Sequence, residues 1–332
     1  MMNTAYDKIK DTRIYVMGFA ALWIMLFHSA VNTDMVVISW ILGLGYLGVD
    51  IFMFLSGFSM AHSFVQSCDC DAQKFIKNRL SKVLNTVFPF AILGIVLQIH
   101  KDYPTRELLR NAMQGKVFWI ELFTFRWFIP CIIFCYCMVP LIHSIFARFG
   151  YRLRIVLIMI LPILLISFFF VGSSVALMFL LRVPEFVLGY FYGGGKVGKT
   201  YIGLRLVLLC MGGVVYWWLM MHYSDIYLAD TGLYWWPAIP LASSIVLVMA
   251  QIFEKIRPKF IMFMGRYSLE LYLWHMFIMD PLVSALKKVG RFGDVIMKII
   301  AILVTVFIAW LYAEGIQYCQ KWWRKVRVKK EI

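Results

Sequence analysis

The chain has 332 residues, 62% hydrophobic and 15% charged, with a mean hydropathy of +0.78. A soluble domain carries roughly 45–50% apolar and about 25% charged residues, so a soluble enzyme or scaffold is excluded and a polytopic, all-α membrane protein is expected. The formal net charge of +15 would suit nucleic acid if it were spread over one surface, but its distribution, taken up below, excludes that partner.

A membrane span needs about 20 mostly apolar residues. About ten stretches meet that rule, near 14–31, 42–66, 83–100, 127–147, 154–171, 174–194, 203–222, 234–253, 260–285 and 296–320. Together they form one integral membrane domain over 1–332, ending in a basic tail at 321–332. The first apolar stretch lacks a small-residue cleavage site and leads directly into further spans, so no cleavable signal peptide is expected. The longest polar connections fall near 67–82 and 101–126. Placing the N-terminus inside puts most of the 33 Lys and Arg on one face, among them Arg13, Arg79, Lys82 and the tail Lys321 to Lys330. This is the positive-inside pattern. It predicts cytoplasmic termini and a multi-pass protein of the inner (plasma) membrane, with the tail anchored on anionic lipid. Cys68 and Cys70 lie in a predicted cytoplasmic loop, where thiols stay reduced, and no paired C-x-x-C pattern suggests a metal.

Ionisable groups are costly at membrane depth and mark functional sites. The first span ends on His28, about 22 Å above Arg13 at 1.5 Å per residue. Asp50 lies two turns into the second span from its outer end. Arg182 and Glu185 lie two to three turns into the sixth, separated by Pro184, which removes a backbone donor. The ninth span, read as one helix rising from Lys259, puts His275 about 24 Å up. These groups therefore share a depth, and one polar cavity is expected to hold them. Ser268, Tyr272 and His275 follow i, i+4, i+7 spacing and form one stripe. Such a stripe lines a polar cavity or cross-bonds helices. Arg182 and Glu185, at i, i+3, also fit a mutually neutralising pair. Asp50 and Gly57 share a face, where Gly57 admits a close neighbour and Asp50 is suited to hold a histidine Nδ1–H so that Nε2 acts as base.

At these residues the chain resembles the acyltransferase type 3 family of integral membrane proteins. The resemblance rests on Ala20 to His28, on Gly48-Val-Asp-Ile-Phe-Met-Phe-Leu-Ser-Gly-Phe58, and on Lys77-Asn-Arg-Leu-Ser-Lys82 followed by Pro89. It continues through Arg126-Trp-Phe-Ile129, Arg182-Val-Pro-Glu-Phe-Val-Leu-Gly189 and Met264-Gly-Arg-Tyr-Ser-Leu-Glu-Leu-Tyr-Leu-Trp-His275. Two positions depart from it. The family's arginine eleven residues before its histidine is Met17 here, and its Arg-x-x-Arg is Arg79-x-x-Lys82. Arg13, one turn below Met17, is expected to snorkel into the vacated place.

The resemblance implies acyl transfer, usually acetyl, from cytoplasmic acyl-CoA to a hydroxyl of an extracytoplasmic or lipid-linked saccharide. His28 would be the general base and Asp50 its orienting partner; an acyl-histidine intermediate on His28 fits the same residues, and the sequence does not separate it from direct transfer. Arg13, Arg79 and Lys82 would hold the donor phosphates. Trp127, Arg182, Glu185, Ser268, Tyr272 and His275 would surround the acceptor. No permanently bound cofactor is implied; acetyl-CoA enters as a substrate. Two other readings fit the same residues: a proton-coupled transporter or flippase using His28, Asp50 and Glu185 as a relay, and an inactive relative acting as a binding protein. The acyl group, the acceptor sugar and the oligomeric state are not legible in the sequence.

Overall fold

The structure, a computed structural model, describes residues 4–29, 36–66, 72–99, 127–195, 202–233, 235–289 and 294–330. The Cys68–Cys70 loop, Arg126 and the connection 101–126 lie outside them. Among the described residues the chain is helical throughout, with no strand. In chain order the helices are α1 (Ala5–His28), α2 (Val36–Gly43), α3 (Leu47–Gln66), α4 (Ala72–Ile99), α5 (Phe128–Phe149), α6 (Leu153–Ser167) and α7 (Ser174–Leu180). They continue with α8 (Val183–Gly193), α9 (Ile202–His222), α10 (Asp225–Thr231), α11 (Ala238–Lys255), α12 (Lys259–Arg266), α13 (Ser268–Val289) and α14 (Asp294–Lys330). Among the described residues, seven runs are long and apolar enough to cross a membrane, from Val37–Phe64 to Val295–Trp322. In the other three windows marked in the sequence, helix covers 14–28, 83–99 and, with a break at Tyr267, 260–285.

Local sequence sets the helix ends. α1 starts on a capping box: the Thr4 hydroxyl accepts from the Asp7 N–H, and the Asp7 carboxylate accepts from the Thr4 N–H at 3.0 Å. Hydrogen bonds from the Thr4 side chain and then its backbone hold the Asp7 carboxyl below its ordinary pKa. α5 stops at Gly150, whose φ of 81° lies in the left-handed region that glycine enters without penalty. The sixth window is two helices, broken at Leu181–Arg182, with Pro184 in the first turn of α8, where its missing N–H costs nothing. A broken span is tolerated where it faces protein, and Arg182 is 2% exposed.

Glycines fix which helices touch. A Cβ on Gly57 would strike the Phe186 carbonyl, and one on Gly189 would strike that of Phe54, so α3 and α8 lie backbone to backbone. The same holds for α1 and α12, where Gly18 faces the Ile261 carbonyl and Gly265 that of Ile14. Small residues permit such approach and gain dispersion contacts in the absence of a hydrophobic drive between helices in lipid.

The ninth window departs from the single rising helix expected of it. The chain breaks at Tyr267, where φ and ψ are −109° and 23°, into α12 and α13. The physical reason is the Gly18–Gly265 contact, which ties α12 to α1 at that level and leaves α13 to start anew at Ser268. The height of His275 therefore cannot be counted from Lys259. Its level is set by a direct contact instead: the His28 and His275 rings lie 5.0 Å apart between centroids.

Candidate active site

α3 presents two faces with different chemistry. Asp50, Phe54, Gly57, Phe58 and Ala61 point at α8 and are buried. Phe52, Ser56 and Ser59 lie on the opposite side, since residues two apart on a helix differ by about 200°, and the two serines are half-buried.

On the α8 face, Asp50 Oδ1 lies 3.0 Å from Arg182 Nε. The guanidinium also sits over the Trp127 ring, 5.4 Å from its centroid, and over that of Trp235 at 5.9 Å. Glu185 follows one turn on and is fully buried. Among the described residues no carboxylate oxygen of Asp50 or Glu185 accepts an aligned hydrogen bond, so the Asp50–Arg182 contact is ionic rather than directional. A buried pair of this kind is held by the mutual cost of leaving either charge alone.

Two expectations are corrected here. Arg182 takes its counter-ion from α3 rather than from Glu185 on its own helix, because glycine packing brings Asp50 within 3.0 Å. Asp50 in turn does not hold His28: it projects toward α8, whereas Phe52, on the other side of α3, faces the histidines. The polar groups matched in depth thus fall into two sets, Asp50, Arg182 and Glu185 toward α8, and Ser268, Tyr272, His275 and His28 on the other side of α3.

The second set lies in and beside a cavity between α1, α3, α4, α5 and α13. This cavity of about 120 Å³ is lined by Met17, Phe52, Ser56, Val83, Phe128, Ile132, Tyr136, Ser268, Leu269 and Tyr272. Phe52, Ser268 and Tyr272 also meet Ala21, Ile24, Met25 and His275 along a seam too tight to admit water. Ser268 and Tyr272 therefore wall the cavity, and His275 lies beyond it against His28. His275 Nδ1 lies 2.7 Å from the Tyr272 carbonyl. A carbonyl only accepts, so Nδ1 carries a proton, and in neutral His275 the lone pair is on Nε2. Trp127 belongs to the other set, through Arg182.

Cations gather near Ser59, one turn from Ser56 on the same face of α3. The Arg13 guanidinium donates to Ser59 Oγ, which itself donates to the Leu55 carbonyl at 2.7 Å. Arg79 is near enough to act on Arg13 electrostatically and is packed over the Phe75 ring at 5.4 Å. Lys82 is exposed, and its neighbour Val83 faces the cavity. Arg13 thus anchors beside Ser59, a turn from Ser56, rather than filling the space at Met17, which is part of the void. Guanidinium forks match phosphate oxygens, so two neighbouring arginines at this end are chemically suited to an oxygen-rich anion.

Against this geometry, the family model described as an acyltransferase domain matches residues 15–314, which spans α1 through most of α14 and includes both sets of polar groups. The chain belongs to the acyltransferase type 3 family. Searches of the curated proteins and of the solved structures returned no match. As an acyltransferase type 3 protein it is a membrane-embedded acyltransferase.

Several residues in and beside this acyltransferase's cavity escaped the sequence reading. Ser56, Ser59 and Tyr136 are single hydroxyls on apolar helices. Phe52, Ser56, Ser59 and Ser63 do follow i, i+4, i+7, i+11 spacing, which is the signal that marks the cavity face of α3. Tyr6, whose hydroxyl lies 2.6 Å from His62 Nδ1, joins α1 to the same end of α3, near the cations.

Proposed function

We propose that the protein is an O-acyltransferase of the inner membrane that moves an acyl group, most simply acetyl, from cytoplasmic acyl-CoA to a hydroxyl of an extracytoplasmic or lipid-linked saccharide. The observation that carries this reading is the cavity at Met17, Ser56, Ser268 and Tyr272, with the His28–His275 ring contact beyond Tyr272 and Arg13, near Arg79, held at Ser59 one turn from Ser56. An acyl-CoA has the complementary shape: a polyanionic head, a thin pantetheine arm and a reactive thioester at its far end. Arg13, Arg79 and Lys82 hold the phosphates at the basic face. The arm runs along the void left by Met17, where a family arginine would have narrowed the way.

His28 is the general base. It takes the proton of the acceptor hydroxyl as the oxygen attacks the thioester carbonyl; the carbon–sulfur bond breaks and the proton passes to the departing thiolate. His275, with its proton held on Nδ1 by the Tyr272 carbonyl, offers Nε2 to hold the acceptor hydroxyl or the imidazole of His28. Trp127, with Arg182 packed on its ring, supplies an aromatic face suited to a sugar. The pair Asp50–Arg182, with Glu185, fixes α3 against α8 and so fixes the wall that carries Phe52 and Ser56.

General-base catalysis contributes about 10²–10⁴-fold. His28→Ala is therefore expected to lower acyl transfer by about that factor, read by mass spectrometry of surface glycans, with the folded protein retained at the wild-type level. Undiminished transfer in a well-folded His28→Ala protein would sink the assignment.

A further inference from the structure

A wide cleft of about 1060 Å³ opens between α4 and α14, away from the cavity at Met17, and is lined by Ser81, Leu84, Asn85, Phe88, Pro89, Tyr312, Gly315, Ile316, Cys319 and Gln320. We infer that it is a binding site for an anionic phospholipid of the cytoplasmic leaflet, with the phosphate at the Ser81–Gln320 end and one acyl chain along Leu84, Phe88 and Ile316. This inference concerns lipid binding and stands apart from the acyl-transfer reading.

The lining is graded along the membrane normal. α4 rises from its basic end while α14 descends toward its basic tail, so Ser81 and Gln320 meet at one end and Phe88, Pro89 and Tyr312 at the other. Polar groups thus lie where a head group would be, and apolar ones where a chain would run. Charge follows the same order. Lys77 is one turn below Ser81 on the same stripe of α4, Lys321 adjoins Gln320, and both are exposed. On the orientation set by the basic residues, that end faces the cytoplasm, where each such lysine adds attraction to anionic lipid. The nearby carboxylate of Glu314 stands higher on α14 and accepts from the Tyr267 hydroxyl at 3.0 Å, so it is directed away from the lysine end.

The backbone adds an acceptor and removes a barrier. Pro89 has no N–H, which leaves the Asn85 carbonyl, four residues earlier, without its helical donor on a cleft-lining residue. The Tyr312 hydroxyl closes the deep end by donating to the Thr86 carbonyl at 2.6 Å. Gly315 leaves the middle of the cleft open: a Cβ there would meet nothing within 4 Å. A chain seated along this line would brace α4, the helix that carries Arg79 and Val83.

The test is native mass spectrometry of the purified full chain titrated with phosphatidylglycerol or phosphatidylcholine of matched acyl chains. The wild type is expected to bind one phosphatidylglycerol in preference to phosphatidylcholine. Gly315→Phe fills the cleft without touching the backbone and is expected to abolish that bound lipid, whereas Gly315→Ala keeps it. Lys77→Gln is expected to weaken phosphatidylglycerol about fivefold, the loss of one juxtamembrane cation, and to leave phosphatidylcholine unchanged; it decides the matter on its own if the phenylalanine variant does not fold. Equal binding of both lipids by the wild type, or undiminished phosphatidylglycerol binding by folded Gly315→Phe, would overturn the inference.

Discussion

The two faces of α3 put polar residues at one depth to opposite uses. On the α8 face, the Asp50–Arg182 pair is sealed: both side chains are at most 2% exposed, and glycines press the backbones together beside them. On the other face, Ser56 borders a cavity of about 120 Å³ and Ser59 holds Arg13 one turn away. Closeness on one face and vacancy on the other are the features expected of a wall and the cavity it bounds. An ionisable residue at membrane depth is therefore not evidence of chemistry until its face is known.

The comparison breaks first at the sealed face. Gly57→Val places carbon where the Phe186 carbonyl now lies, and rigid backbone cannot yield. No monodisperse protein is expected on size-exclusion chromatography, and normal recovery would show that α3 and α8 do not pack as described. The next effect is the charge pair. Arg182→Met leaves Asp50 buried without its cation, which costs about 3–5 kcal/mol when one partner of a buried pair is removed. A lower unfolding temperature is expected, with part of it restored in Asp50→Asn, Arg182→Met. An undisturbed melting temperature in the single variant would mean that the carboxylate has another partner.

Much of this was legible in the sequence, and the misses have a common cause. The Ser268–Tyr272–His275 stripe is legible by helical phase, because phase is a property of one helix. The count that places His275 level with His28 instead runs through the break at Tyr267, and the ring contact is what sets that level. The partner of Asp50 was not legible, because phase says which residues share a face and not which helix covers it. Gly57, Gly189 and Gly193 contain that answer only once their contacts with α3 and α8 are known. The break at Tyr267 was missed for the same reason: the run Met264 to His275 is apolar enough to read as continuous, and the Gly18–Gly265 contact that interrupts it lies 247 positions apart in sequence (265 − 18). The cavity at Met17 was read as the place of a missing arginine; the structure leaves it open and keeps Arg13 at Ser59.

The smallest effect is also the most specific to the cavity face. Ser56→Leu adds three carbons' worth of bulk to a half-buried position on the wall of the 120 Å³ void, so it obstructs the cavity without breaking an ion pair or a backbone contact. A donor arm lying there contributes equally to the bound substrate and to the transition state. Losing part of that shared binding raises KM and leaves kcat alone. The expected change is about tenfold in KM for acyl-CoA, equivalent to ~1.4 kcal/mol of binding, with a modestly lower melting temperature because the buried Tyr136 hydroxyl loses its Ser56 partner. A folded Ser56→Leu protein with wild-type KM would place the donor elsewhere and leave the cavity as a packing defect. A fall in kcat with KM unchanged would instead move the role of this face from carrying the donor to positioning His28, since an interaction made only in the transition state lowers kcat and kcat/KM together.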